Sequence, residues 1–296
     1  MRGVQLCDLA RSILGDRYDF AVQYVPNLGK LGLEAAWIAL QPRGTVYIFV
    51  KDTVDRFSPE GLVRLRDRAA GTALDYIDRH LHLMPPQGID LHVSASVSGV
   101  QAMKDRIARV SGTDEAIEGD VVRLLHGVDR RIHDLAKARQ DRLRPVYLGS
   151  LHIPTIPPDI EQRMTILDAT TTQKMTENFR AVAGHNFHYA VRQPKTWPGI
   201  RGRKPFTKGF TAAVLGANIL THADEDDALP LLGSTYPYMA PSTDHDAIRQ
   251  VFARAERTFG GPEWQRALSQ TARLAELVAP KAQAAELEAI VRRLLS

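Results

Sequence analysis

Within residues 201–222 (RGRKPFTKGFTAAVLGANILTH), Lys204, Thr207, Lys208 and Thr211 recur at i, i+3, i+4 and i+7, the spacing of one helix face. Two ammonium groups and two hydroxyls would thus line a helix start, where free N–H groups and the macrodipole already favour an anion. That is the chemistry of a phosphate or diphosphate clamp. The same spacing also fits the solvated face of an ordinary amphipathic helix. Pro205 suits the first helical turn, and Phe206, Phe210, Ala213 and Val214 form the face to be buried. Gly216 can end the helix before a buried strand over 217–220.

The elements that would position this segment alternate in type. Short apolar runs at 20–25, 45–50, 72–77, 89–93 and 121–125 read as strands with helical stretches between them. Ser58 and Pro59 make a helix start. A second series follows a polar stretch at 130–144, which is expected to be a bridging helix. Its strands fall at 146–149, 164–167, 186–191 and 217–220, with another near Tyr236 and Tyr238. Helices headed by Asp244 and Pro262, and one over 286–295, close the chain. Such alternation predicts an α/β fold with mainly parallel, doubly wound sheets, in which ligands sit beyond the carboxyl ends of the strands. Asp52, Asp55, Asp78, His80, His126 and Asp129 fall at such ends. The loop PNLGKLG at 26–32 places Gly29, Lys30 and Gly32 between an expected strand and a helix. It matches neither a P-loop nor a dinucleotide fingerprint.

With 296 residues, 44% of them hydrophobic and 24% charged, the chain is an ordinary globular sequence of one large or two average domains. A net charge of +4 suits anionic substrates and leaves room for peripheral association with a membrane surface. No basic run with interleaved aromatics is present, which argues against nucleic acid. Cys7 is the single cysteine, so neither an intramolecular disulfide nor a cysteine-rich zinc site is expected. The first residues carry charges throughout, unlike a signal peptide, and no apolar run reaches membrane-spanning length. A cytoplasmic location is expected. Asp224-Glu225-Asp226 lies in an acidic run typical of a helix start, and Asp244-His245-Asp246 lies where a cap belongs. The pairs His185/His188 and His80/His82 lack a third ligand, so no bound metal is expected.

Three passages in order resemble those of a GT-B-type glycosyltransferase: LLHGVDRRI at 124–132, VYLGSL at 146–151 and KPFTKGFTAAVLGANIL at 204–220. A terminal helical stretch, GGPEWQRALSQTARLAE, follows as it does in that family. The resemblance implies two Rossmann-like domains facing a cleft, with C-terminal helices. They are expected at 1–144, on the acceptor side, and at 145–296, on the nucleotide-sugar side. It implies that Lys204, Pro205, Thr207, Lys208 and Thr211 hold the donor diphosphate. Gly149 and Ser150 would meet the nucleotide, and His188 and Arg192 would add a second phosphate contact. Gly29, Lys30 and Gly32 would touch the acceptor. A base for the acceptor hydroxyl would come from Asp78, His80 or His126, with Asp52 a further candidate. The expected activity is a metal-independent, hexosyltransferase-like transfer from a nucleotide-sugar to a glycan, surface-polysaccharide or lipid-linked acceptor. No cofactor beyond the donor substrate is implied. One departure matters: where many retaining members carry two glutamates, this chain has Arg203 and Thr211. A nucleotide-sugar epimerase and a non-catalytic binding partner in a glycan-synthesis complex are the alternatives.

Overall fold

Two wholly parallel sheets organise the chain, one in each of two units. The computed structural model describes residues 2–193 and 203–296, without the side chains of Lys30 and Leu31. The elements are α1 (Arg2–Leu14), α2 (Leu28–Leu31), α3 (Glu34–Leu40), β1 (Val46–Val50), α4 (Pro59–Arg66), β2 (Gly71–Asp75), β3 (Leu91–Ser94), α5 (Val97–Val110) and β4 (Asp120–Arg123). They continue with α6 (Arg130–His133), β5 (Pro145–Gly149), α7 (Pro158–Glu161), β6 (Thr165–Asp168), α8 (Thr172–Val182), β7 (Phe187–Tyr189), α9 (Thr207–Val214) and β8 (Asn218–His222). The last are α10 (Ala228–Leu232), β9 (Met239–Ala240), α11 (His245–Thr258), α12 (Pro262–Leu277) and α13 (Pro280–Leu295). Among the described residues no helix is long and apolar enough to cross a membrane.

The first unit comprises Met1–His126, Gly199–Pro205 and Pro280–Ser296. Its strands lie in the order β1-β2-β3-β4, all parallel. Right-handed crossovers between strands in sequential order put every connecting helix on one face. Phe49 and Leu74 point to that face and pack with Ile38, Leu62, Leu65 and Met103. The alternate residues Ala73, Leu91 and Val93 point the other way. That face is covered by the chain ends: Leu6 and Ala10 of α1, and Leu287, Ile290, Val291 and Leu294 of α13. At about 1.5–3 kcal/mol per buried aliphatic side chain, the four α13 residues contribute on the order of 10 kcal/mol, comparable to a domain's whole stability.

The second unit comprises Gly127–Pro198 and Phe206–Ala279. Its strand order is β6-β5-β7-β8-β9, again all parallel. Phe187, Tyr238, Phe252, Phe259 and Trp264 form its aromatic core through edge-on and tilted contacts. The chain leaves β5 toward β6 on one side and returns to β7 on the other. The reversal opens a crevice above the carboxyl ends of β5 and β7.

Several expectations are revised. The apolar run at 20–25 joins no strand, because Val22 and Tyr24 face solvent. The first residues, read only as not being a signal, form α1. The stretch at 130–144 is one helical turn followed by irregular chain that packs within the second unit. There Gln140 donates to the Gly216 carbonyl and accepts from the Trp264 indole. Division at 144/145 therefore differs from the compact units, which change at His126/Gly127 and return α13 to the first sheet.

Candidate functional site

The crevice above β5 and β7 gathers most of the charged groups expected in the C-terminal half. α9 starts at Thr207, three residues later than the Lys204 spacing requires, so Lys204 and Pro205 precede the helix. Phe206 occupies the cap position and offers no side-chain acceptor, leaving the first N–H groups of α9 without an internal cap. Phe206, Phe210, Ala213 and Val214 are buried, as the spacing predicts. Gly216 ends the helix in the left-handed region at φ 69°. Thr211 is buried, and its hydroxyl donates to the Thr207 carbonyl within its own helix.

Lys208, at the second position of α9, extends its Nζ over the Tyr147 ring, 3.8 Å from the centroid. The Tyr147 hydroxyl donates to the Ser150 carbonyl at 2.7 Å, closing the turn after β5. Gly149 lies inside this contact: a Cβ there would stand 2.6 Å from Tyr147 Oη and 3.1 Å from Lys208 Nζ. Lys208 makes no ion pair with a carboxylate among the described residues. Burial, with the Arg192 guanidinium nearby, lowers its ammonium pKa to about 7, and Glu225 only partly offsets this. A positive charge with so few protein partners is suited to receive an anion.

Arg192 follows β7, and the loop from 150 folds back to meet it through a bridge with Pro154. Its guanidinium forms a forked ion pair with the buried Glu225, with Nε 2.6 Å from Oε2. His222, ending β8, stands 3.7 Å from the same carboxylate. His188 in β7 is buried, and its Nε2 reaches no hydrogen-bond partner among the described residues. Burial, with smaller contributions from His185 and Lys208, drives its pKa down to about 3, so the ring is neutral. Thr221 Oγ1 is likewise buried without a partner.

Glu225, Thr221 and Tyr147 were not singled out by the sequence as parts of this site. Nor was Asp168, which ends β6 opposite Gly149 and accepts from Lys174 at 2.6 Å, holding its pKa near 2. Only the switch-point position of β5 and β7 could have found Tyr147, and only contact could have found Glu225. Of the two D-x-D matches, Glu225 of the first is engaged by Arg192. In the second, Asp244 accepts from the Ser242 hydroxyl and Asp246 pairs with Arg249.

The first unit carries the expected acceptor-side residues. Asp78 is exposed with a left-handed backbone, φ 56°, and His80 is half-buried with its ring 5.3 Å from that of His82. Asp52 and Asp55 both pair with the buried Arg79. His126 Nδ1 lies 3.0 Å from the buried Arg2, whose permanent donor makes that nitrogen the acceptor. Burial, reinforced by the Arg2 charge, lowers the His126 pKa to about 3. A ring so held binds protons too weakly to serve as a base near neutrality. Gly29 lies in α2 with open space around its Cα, whereas Gly32 has φ 61° and so serves the turn. The Lys30 side chain lies outside the described residues.

No protein-family model matches the sequence, and no curated protein matches it. Solved structures do resemble it. A glycosyltransferase from Rickettsia africae superposes with a TM-score of 0.61 at 8% identity, over 99% of this chain and 94% of that one. Anabaena Alr3699/HepE, solved in complex with UDP, gives 0.58 at 11% identity, over 99% and 95%. An alpha,alpha-trehalose-phosphate synthase (UDP-forming) from Burkholderia vietnamiensis gives 0.58 at 11%, over 90% and 78%. The chain has the GT-B fold. In GT-B terms, the crevice above β5 and β7 lies in the C-terminal Rossmann-like unit.

Proposed function

We propose that this GT-B protein is a glycosyltransferase whose second unit binds a nucleotide-diphosphate sugar. The observation that carries the reading is Lys208, which has no carboxylate partner among the described residues and is set at the uncapped start of α9 above the β5/β7 switch point. Arg192 lies close enough to depress the Lys208 pKa. Together with the α9 N–H groups they offer positive charge to a diphosphate, whose own negative charge would hold Lys208 protonated, and would stabilise it as the sugar departs. That charge does the work of a metal in other transferases, so transfer is proposed to be metal-independent. Gly149 and Ser150 would approach the nucleotide as backbone. In the first unit, Asp78 or His80 is the proposed base for the acceptor hydroxyl, since His126 is occupied by Arg2. A glycan or lipid-linked acceptor and a cytoplasmic site of action complete the proposal.

The test is binding of UDP, GDP, CDP and ADP by calorimetry, with and without manganese. One nucleoside diphosphate is expected to bind regardless of manganese. Lys208→Met and Arg192→Ala should each weaken it by about tenfold to a hundredfold, the range of one lost charge-assisted contact. A wild-type protein that binds none of the four would overturn the reading. The non-catalytic alternative has one observation on its side, because Arg203 and Thr211 stand where many retaining members have glutamates. Binding without release of sugar from any matching donor, with acceptors present, would favour it.

A further inference from the structure

We infer that Tyr147 is a positioning residue for the donor diphosphate, its ring carrying the Lys208 ammonium while its hydroxyl fixes the Gly149-Ser150 turn. This rests on the donor-site reading above and assigns a role to a residue that touches no ligand in it. Two parts of the chain far apart in sequence, the β5 end with its turn at 147–150 and the start of α9, meet at this side chain. The ring of β5 supports the cation of α9 at 3.8 Å, and the hydroxyl holds the turn at 2.7 Å. The space a side chain at 149 would need is filled by the Tyr147 hydroxyl and the Lys208 ammonium. An alanine there would press on both groups, and the backbone of the turn is brought close to the cation. Tyr147 is itself fully buried, so its ring is a fixed platform.

The other groups facing Lys208 do not replace that platform. Arg192 repels it, Glu225 is already forked onto Arg192, and His188 is neutral and buried. A cation over an aromatic face is attracted by the negative face of the ring, more strongly when water is excluded. The ring thus holds the ammonium in place before a ligand arrives, so binding does not have to order a long flexible side chain.

The experiment compares wild type with Tyr147→Phe, Tyr147→Leu and Gly149→Ala. The protein carries 13Cε-labelled lysine, and thermal unfolding is followed for each variant. In wild type, one lysine ε resonance should be shifted upfield by the ring and be absent from Lys208→Met. Tyr147→Phe should keep that shift and bind the nucleoside diphosphate within about threefold of wild type, having lost one neutral hydrogen bond. Tyr147→Leu should lose the shift and bind about tenfold more weakly, the weight of one cation–π contact. Gly149→Ala should displace the resonance with Tyr147 still present, which keeps the test valid if Tyr147→Leu does not fold. An unshifted wild-type resonance, or nucleotide binding unchanged in both Tyr147→Leu and Gly149→Ala, would overturn the inference alone. A wild type that binds no nucleoside diphosphate would remove the donor reading and this inference with it.

Discussion

Lys208 costs the folded protein stability that its proposed task requires. Its ammonium titrates near 7 when folded and near 10.4 when unfolded, so between those values the unfolded chain holds more protons. Stability contributed at this site therefore rises with pH through that window. Lys208→Met is expected to raise stability at pH 6 by about 1–3 kcal/mol, discounted for residual solvent screening. That gain should shrink steadily above pH 7 and leave only a small remainder by about pH 10, where the folded lysine is neutral and the unfolded one is beginning to lose its proton. Melting temperatures of the two proteins from pH 6 to 10 check this. A gain that is flat with pH would mean that packing, and not charge, is responsible. The lysine was legible from the sequence as half of a cationic face. Its partner was not, because a ring beneath an ammonium leaves no periodic trace.

Helix starts were the most legible elements, because capping is local. Ser58 precedes Pro59 and accepts from the Gly61 N–H at 3.0 Å, as that sequence predicts. Glu34 of α3 then takes both the Ser58 N–H and its hydroxyl, at 2.7 and 2.9 Å. Ser58→Ala should cost about 1–2 kcal/mol, from the lost cap and the half-emptied Glu34 carboxylate. Urea unfolding would measure it, and a change below about 0.3 kcal/mol would show the α3–α4 link to be incidental. By contrast, α9 begins after Lys204 because Phe206 takes the cap position. The periodicity of Lys204, Thr207, Lys208 and Thr211 could not reveal that shift. The strand expected at 20–25 does not form, because Val22 and Tyr24 face solvent and the run has no continuous face to bury in a sheet.

Across the whole molecule, the ends of the chain complete the first sheet, and Arg2 anchors one of them. Its buried guanidinium pairs with Asp75 and donates to the Leu124 and Leu125 carbonyls. Arg2→Ala would strand a fully buried carboxylate and should cost about 3–5 kcal/mol. The double variant Arg2→Met/Asp75→Leu is expected to be less damaging than Arg2→Ala alone; equal losses in chemical denaturation would contradict a charge-pair origin. Acid sensitivity also belongs to this scale. His92, His126 and His188 are held neutral by burial, in both units. The unfolded chain protonates them near 6.5, so stability is full above that pH and is lost as pH falls toward about 3, the folded value of His126 and His188. His126→Gln and His188→Gln should each flatten the decline of melting temperature between pH 6.5 and 4. Unchanged slopes in both would refute the linkage.

Sequence alone determined what local chemistry controls: the parallel α/β alternation, the buried face and glycine end of α9, the cap at Ser58, and the order of passages that resembles GT-B enzymes. It also placed Gly149, Arg192 and Lys208 in one half of the chain. Tertiary structure decided which of them meet. The reversal of strand order at β5 and β7 brings Tyr147 under Lys208. The end of β8 brings Glu225 to Arg192, and α13 returns to the sheet of the other unit. Each of these joins residues separated by dozens of positions. Such pairings are selected by packing and strand topology, and periodicity records only which face a residue occupies, not what lies against it.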